Sequence, residues 1–286
     1  MKSSEAYRGK QTVGKDTKKG GILKRILGGY TTAVILLLIY LPIFVLIVFS
    51  FNDSKIPGFP WRGFTLRWYS QIGENNVLVQ SLINSVVVAL IVTFFSLVIG
   101  VLAARAMTKF HYKLRNLFTG FVSIPFVMPW MLIGIALLLF FNLIHLKLSL
   151  FTVIISHISF DVPLVAVLVS SRLSKYDYAV EEASRDLGAS SVETFFLVTL
   201  PIIAPSLIAA GIFSFSWSFD AFYITHFVSG SQVFFPTWVW SALRYPNKLP
   251  LINAVSSLVL VVELVVISVA EIIRVKDEGA SETLFM

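Results

Sequence analysis

Six apolar runs of about 20 residues or more constrain this chain more than any other feature. They cover residues 29–51, 82–104, 117–141, 150–171, 205–228 and 251–273. A helix needs about 20 mainly apolar residues to cross roughly 30 Å of hydrocarbon. In lipid every backbone N–H and C=O must be satisfied within the segment, so runs of this length are helices. They lack the alternating pattern of a barrel strand. Only 14% of the residues are charged and 56% are apolar, with a mean hydropathy of +0.82; a soluble domain carries nearer a quarter charged residues. The expected fold is an all-α membrane protein with six transmembrane helices. Residues 1–28 form a basic tail, 29–273 the membrane domain and 274–286 a C-terminal tail.

The net charge of +7 would suggest nucleic acid in a soluble protein, but its distribution gives another explanation. Seventeen Lys and Arg fall on one side of the six runs: eight before the first, then Arg105, Lys109, Lys113, Arg115, Arg172, Lys175, Arg185, Arg274 and Lys276. The opposite loops hold six. Cytoplasmic loops carry the basic excess, so both termini are expected in the cytoplasm and no nucleic-acid partner is implied. Cysteine is absent, which excludes a disulfide framework and a Cys-ligated metal site. The first apolar run is too long for the h-region of a signal peptide and reads as an uncleaved anchor. Gly9-Lys10-Gln11-Thr12-Val13-Gly14-Lys15 is one residue short of a phosphate-binding loop. Asp16 stands where a Ser or Thr should hold magnesium and no strand precedes it, so nucleotide binding belongs to another subunit.

The loop after the first run, 52–80, holds Pro57, Gly58, Pro60, Gly63 and the aromatics Phe59, Trp61, Trp68 and Tyr69. It reads either as a packed cap or as a set of interfacial anchors. Pro125, Pro129 and Pro163 are expected to break the third and fourth spans, since proline removes a backbone donor. No repeat or low-complexity stretch is evident.

Between the fourth and fifth runs lies a polar segment, 172–204, with five ionised residues close together: Glu181, Glu182, Arg185, Asp186 and Glu193. Tyr176, Val180, Ala183, Leu187 and Val192 leave a partly apolar stripe along it. Gly188 is placed to end a first helix, and Ser190 or Ser191 to cap a second with Glu193. Such an amphipathic helix–turn–helix presents a surface to a soluble partner. Glu182-Ala183-Ser184, then Gly188, then Val198-Thr199-Leu200-Pro201 resembles the E-A-A-x3-G-x9-I-x-L-P loop of binding-protein-dependent ABC importer permeases. Ser184 replaces an Ala and Val198 an Ile. The resemblance implies that Glu182, Ala183, Ser184 and Gly188 couple this chain to an ATPase subunit.

Further stretches are similar to the spermidine/putrescine permeases of the PotC type. They include Tyr40-Leu41-Pro42 through Phe49-Ser50-Phe51-Asn52, Gly63-Phe64-Thr65-Leu66-Arg67-Trp68-Tyr69, 156–160 through 171–173, 186–190 and Phe227-Val228-Ser229-Gly230. What the resemblance implies is a bacterial inner-membrane permease with no cofactor and no catalysis of its own. Its partners would be a second, PotB-like permease, an ABC ATPase dimer holding ATP and magnesium, a periplasmic polyamine-binding protein and the lipid bilayer.

Three acids lie deep in the apolar runs, Asp161, Asp220 and Glu263, with no Lys or Arg at similar depth. Charges within spans cost about 2.5–3.5 kcal/mol each on insertion scales and face a cavity or a partner. Unneutralised acids suit a cationic solute. Phe213, Trp217, Asp220 and Tyr223 or Ile224 share a helical stripe, where a carboxylate and aromatic faces could both attract an ammonium. The competing reading makes these acids structural, paired with a neighbouring span or a partner permease. His157 reads as a helix–helix hydrogen bonder. The resembling family has a second acid after its Asp, where this chain has Ala221. Another cationic or small organic solute is the nearest alternative cargo. An intramembrane aspartyl protease built on Asp161 and Asp220 is a remote one, since neither acid has the expected flanking residues.

Overall fold

A computed structural model describes residues 16–56, 58–109, 113 and 115–284. The loop resembling a phosphate-binding motif at 9–15 lies outside them. The described chain runs as α1 (Asp16–Phe49), α2 (Arg67–Glu74), α3 (Asn76–Thr108), α4 (Arg115–Val127), α5 (Trp130–Leu143) and α6 (Leu150–Leu173). It continues as α7 (Ala179–Asp186), α8 (Ser191–Thr194), a π turn (Phe195–Thr199), α9 (Leu200–Phe219), α10 (Phe222–Val228), α11 (Phe235–Ala242) and α12 (Leu249–Leu284). Among the described residues the only extended pairing is one bridge between Asn52 and Phe64.

Five helical stretches are long and apolar enough to span a membrane: Gly28–Phe49, Asn76–Thr108, Leu150–Leu173, Ser191–Phe219 and Pro246–Val269. The pair α4 and α5 is long and apolar enough only when taken together, and it bends by 104° between the two. Five of the six expected spans are thus single long helices and the third apolar run is this bent pair, with two further corrections. The fifth begins earlier than residue 205 and ends at Phe219 rather than Val228. Pro125 lies inside α4 and Pro163 leaves α6 unbroken, whereas Pro129 sits at the N-terminal boundary of α5 with extended backbone. Pro163 lies in the most tightly held helix pair, where a Cβ on Gly100 of α3 would come within 2.5 Å of Val165 on α6. Small residues allow such close backbone approach in membranes.

Around α3 the core divides into three groups. Near its start, Leu78 packs with Phe219, Phe235, Trp238 and Ile252. At its middle, Val88 and Val92 meet Phe141, Val153, Phe160 and Ile224. Towards its end, Val101 and Ala104 meet Val165, Val169, Leu173 and Ile203. The helix α1 leans on α12 and leaves a long row of apolar side chains exposed.

The loop after α1 combines both readings. Asn52 is buried and organises it, with its carbonyl accepting from Trp68 Nε1 at 2.9 Å and its Oδ1 from the Arg62 N–H at 3.1 Å. The Tyr69 hydroxyl bonds Ser50 at 2.7 Å and Ser257 of α12 at 2.9 Å. Phe59 and Trp61 remain exposed.

Candidate functional site

Two regions hold the residues singled out in the sequence. The first is the polar loop between the fourth and fifth spans. Its helix α7 closes with a double hydrogen bond: Ala189 N–H to Ser184 O at 3.2 Å and Gly188 N–H to Arg185 O at 2.9 Å. This six-to-one, five-to-two pattern needs a left-handed residue after the cap, and Gly188 supplies it at φ +95°. Ser190 then caps α8 in a reciprocal box, accepting from Glu193 N–H at 3.2 Å while Glu193 Oε2 accepts from Ser190 N–H at 2.8 Å. The Ser190 hydroxyl and the Ser190 N–H, both set against the exposed Glu193 carboxyl, hold it below its ordinary value.

The second helix is not a separate surface element. It runs through the π turn into α9, so the fifth span is continuous from Ser191. Leu200 N–H bonds back to Phe195 O, five residues earlier. A widened turn relieves the clash that the ring of Pro201 would otherwise make with the preceding turn.

Glu182, Ala183 and Gly188 are exposed, and so are Val180, Leu187 and Val192. Leu187 is 90% exposed. Ser184 is half-buried and bridges to Thr194 Oγ1 at 3.2 Å, joining α7 to α8. Glu181 was only one of five acids and bases in the sequence; here it is buried, 2% exposed. Its carboxylate takes Lys109, Arg105 Nη2 at 3.2 Å and the Thr199 hydroxyl at 2.7 Å. Burial alone would raise its carboxyl, but the bonds from Lys109 and Thr199 and the charge of Arg105 outweigh it. The group is held below its ordinary value of 4.5. Tyr176, whose own hydroxyl is pushed up chiefly by burial, lies beside the same cluster.

A depressed carboxyl stabilises the fold above its unfolded value and ceases to do so as pH falls through the folded one. The contribution of Glu181 is thus constant above about pH 5 and is lost progressively below 4.5. Thermal midpoints of the purified protein from pH 7 to 3.5 should fall at the acid end. The acid-end fall should be smaller in Glu181→Gln; an identical fall in the variant would contradict the assignment.

The second region lies deep in the spans. The three acids have different fates. Asp161 is fully buried on α6 and accepts from the Ser214 hydroxyl of α9, beside Ser96 of α3. Its other oxygen has no partner among the described residues. Asp220 is exposed and closes α9, its N–H donating to Ser216 O at 3.0 Å. Glu263 on α12 is half-buried and an electrostatic neighbour of Asp220. Among the described residues neither of these two carboxylates has an ion-pair partner.

The helical stripe through Asp220 does not survive, because the chain breaks at Asp220–Ala221 before α10. Trp217 is half-buried, its ring 4.8 Å from that of Trp130. Tyr223 and Phe213 are about half exposed, and Ile224 is buried in the core. Sequence spacing missed Trp130. Its position directly after Pro129, at the bend between α4 and α5, was the available signal.

His157 explains why the break is held. Fully buried on α6, it bonds Ser218 at 2.8 Å through Nδ1 and Thr225 at 2.9 Å through Nε2, one residue on each side of the break. The Thr225 hydroxyl proton goes to Ala221 O. It can therefore only accept from the ring, so in the neutral imidazole Nε2 donates and Nδ1 accepts from Ser218. Interhelical hydrogen bonds in membranes average about 0.6 kcal/mol, with some near 1.7. His157→Ala should lose about 1–3 kcal/mol, allowing for the Ser218 hydroxyl left without its acceptor. Thermal unfolding in detergent measures this; an unchanged midpoint would remove the clasp.

Residues 96–275 match the family described as binding-protein-dependent transport system inner membrane component. The chain is 34% identical over 254 residues to the spermidine/putrescine transport system permease protein PotC of Escherichia coli (strain K12), covering 88% of this chain and 95% of that one. It is 33% identical over 239 residues to the putrescine transport system permease protein PotI of the same organism, covering 79% and 84%. Its fold also matches a chain from the crystal structure of a bacterial ABC transporter involved in the import of the acidic polysaccharide alginate. That match has a TM-score of 0.68 at 15% identity, covering 92% of this chain and 99% of the other. The protein belongs to the family of binding-protein-dependent transport system inner membrane components, and its fold is that of an ABC importer permease.

Proposed function

We propose that this chain is the permease subunit of an ATP-driven polyamine importer of a bacterial inner membrane, with both termini cytoplasmic. The observation that carries the cargo is that Asp220 and Glu263, electrostatic neighbours, have no cationic partner among the described residues. Two carboxylates near each other and without a cationic side chain repel one another until a cation lies between them. A polyamine supplies that charge on a slender apolar chain, and the ring of Trp217 adds an aromatic wall. Similarity to PotC and PotI supports the same cargo.

Ala221 is fully buried. The second acid that the resembling family carries has no counterpart there, and Glu263 is the acid that neighbours Asp220 electrostatically. Asp161, sealed against Ser214, serves as a clasp between α6 and α9. Tyr223, exposed beyond the break, lies at the edge of the path.

Glu182, Ala183 and Gly188 form the surface that docks an ATPase subunit, with Leu187 and Val192 as its apolar contacts and Ser184 as an internal brace. The ATPase dimer holds ATP and magnesium and performs the hydrolysis. A second, PotB-like permease completes the path, and a periplasmic binding protein delivers the solute. Deleting the gene in a strain lacking other uptake systems should abolish ATP-dependent uptake of labelled putrescine and spermidine. Uptake that persists would refute the proposal.

A further inference from the structure

We propose that Glu181 is the positioning residue that carries motion of the docking helix to α3, and through α3 to the opposite face of the membrane domain. The inference rests on the ATPase-docking reading of α7. Of the ionised residues on the loop, Arg172, Lys175, Asp177, Glu182, Arg185, Asp186 and Glu193 are exposed and Glu181 alone is buried. The docking segment therefore turns one carboxylate inward and its remaining charges outward.

Groups from three elements meet on that carboxylate. Arg105 and Lys109 come from the last turns of α3, Thr199 from the π turn that opens the fifth span, and Glu181 itself from α7. The backbone of α7 lies against α8 and the π turn. Its tie to α3 is made by side chains: Glu181 to Arg105 and Lys109, and Tyr178 to Thr108 at 2.9 Å just before α7 begins. Aromatic rings close over the cations, Phe195 at 5.1 Å from Arg105 and Tyr178 at 5.5 Å from Lys109.

The cluster resists separation because parting it would leave the buried Glu181 carboxylate uncompensated. The docking helix and the end of α3 must then move together. With 33 residues, α3 is a rod of about 50 Å. Its far end is bonded to the opposite loops: Asn84 Nδ2 donates to Val233 O at 2.9 Å, and the Phe235 N–H donates to Ser85 Oγ at 2.9 Å. A shift at α7 thereby reaches the segment leading into α11.

The test uses the complete transporter reconstituted in vesicles, with solute uptake and ATP hydrolysis measured on the same preparation. In Glu181→Gln, uptake per ATP hydrolysed should fall at least fivefold, with hydrolysis itself within twofold of wild type. The double variant Glu181→Gln with Lys109→Met removes a cation that the single change leaves less well paired. Its uptake per ATP should remain low although its thermal midpoint recovers. A ratio within twofold of wild type in the double variant would mean that Glu181 only neutralises buried charge, which overturns the inference. A double variant that cannot assemble marks a structural role and overturns it as well. A wild-type complex without ATP-driven uptake would remove the proposed function and this inference with it, and that control separates the two failures.

Discussion

Uptake of labelled putrescine and spermidine by cells carrying the whole system should fall by about tenfold or more when Asp220 is replaced by Asn, at solute concentrations well below saturation. The change keeps the shape of the side chain and removes one charge. Hydrogen bonds to charged groups are worth about 1.5–3 kcal/mol, and each 1.4 kcal/mol is tenfold in affinity. Asp220 closes α9 through its backbone N–H, so the helix end is not altered by the substitution. Assembly with the partner subunits should therefore be normal, and the loss should lie in affinity for the cation. Glu263→Gln should act in the same direction, since Glu263 is an electrostatic neighbour of Asp220. Normal polyamine uptake in Asp220→Asn would return that carboxylate to a structural role.

The second large effect is expected at Gly188. Its φ of +95° lies in the region that side chains rarely adopt, yet a Cβ there meets nothing within 4 Å. Any damage from substitution is thus backbone strain and not a clash. Left-handed geometry costs about 1–2 kcal/mol for an ordinary residue, and more for a β-branched one. Gly188→Val should open the turn that orients Leu187 and α8, and retention of the ATPase subunit during purification should drop at least fivefold. Gly188→Ala should give a smaller loss in the same direction. The thermal midpoint of the isolated permease should hardly change, because the turn is exposed and outside the core. Full ATPase retention in Gly188→Val would show that the turn does not shape the docking surface.

Much of this molecule is set by interactions along a short stretch of chain, and those parts were legible in the amino-acid sequence. A run of some 20 apolar residues has one stable form in lipid, so the five single-helix spans follow from composition and length, whereas the third run bends by 104° between α4 and α5. The end of α7 at Gly188 and the cap at Ser190 depend on residues within five positions of each other, and both stand where the pattern placed them. Likewise the spacing from Glu182 to Pro201 was enough to suggest the family to which the chain belongs.

What tertiary structure alone decided is how each buried charge is used. Asp161 and Ser214 are 53 residues apart, and nothing near Asp161 announces that α9 will seal it. Glu181 and Glu182 are adjacent and chemically identical, yet one is enclosed by α3 and the other faces outward. Arg105 and Lys109, one turn apart, served as an orientation signal before their shared carboxylate was visible. The break at Asp220 is another case: local spacing continued the helix, while hydrogen bonds with His157 on α6 clasp the two arms at the break. The common reason is range. Helix formation, capping and insertion are settled by neighbours in sequence, whereas the environment of a carboxylate is settled by whichever distant helices close around it.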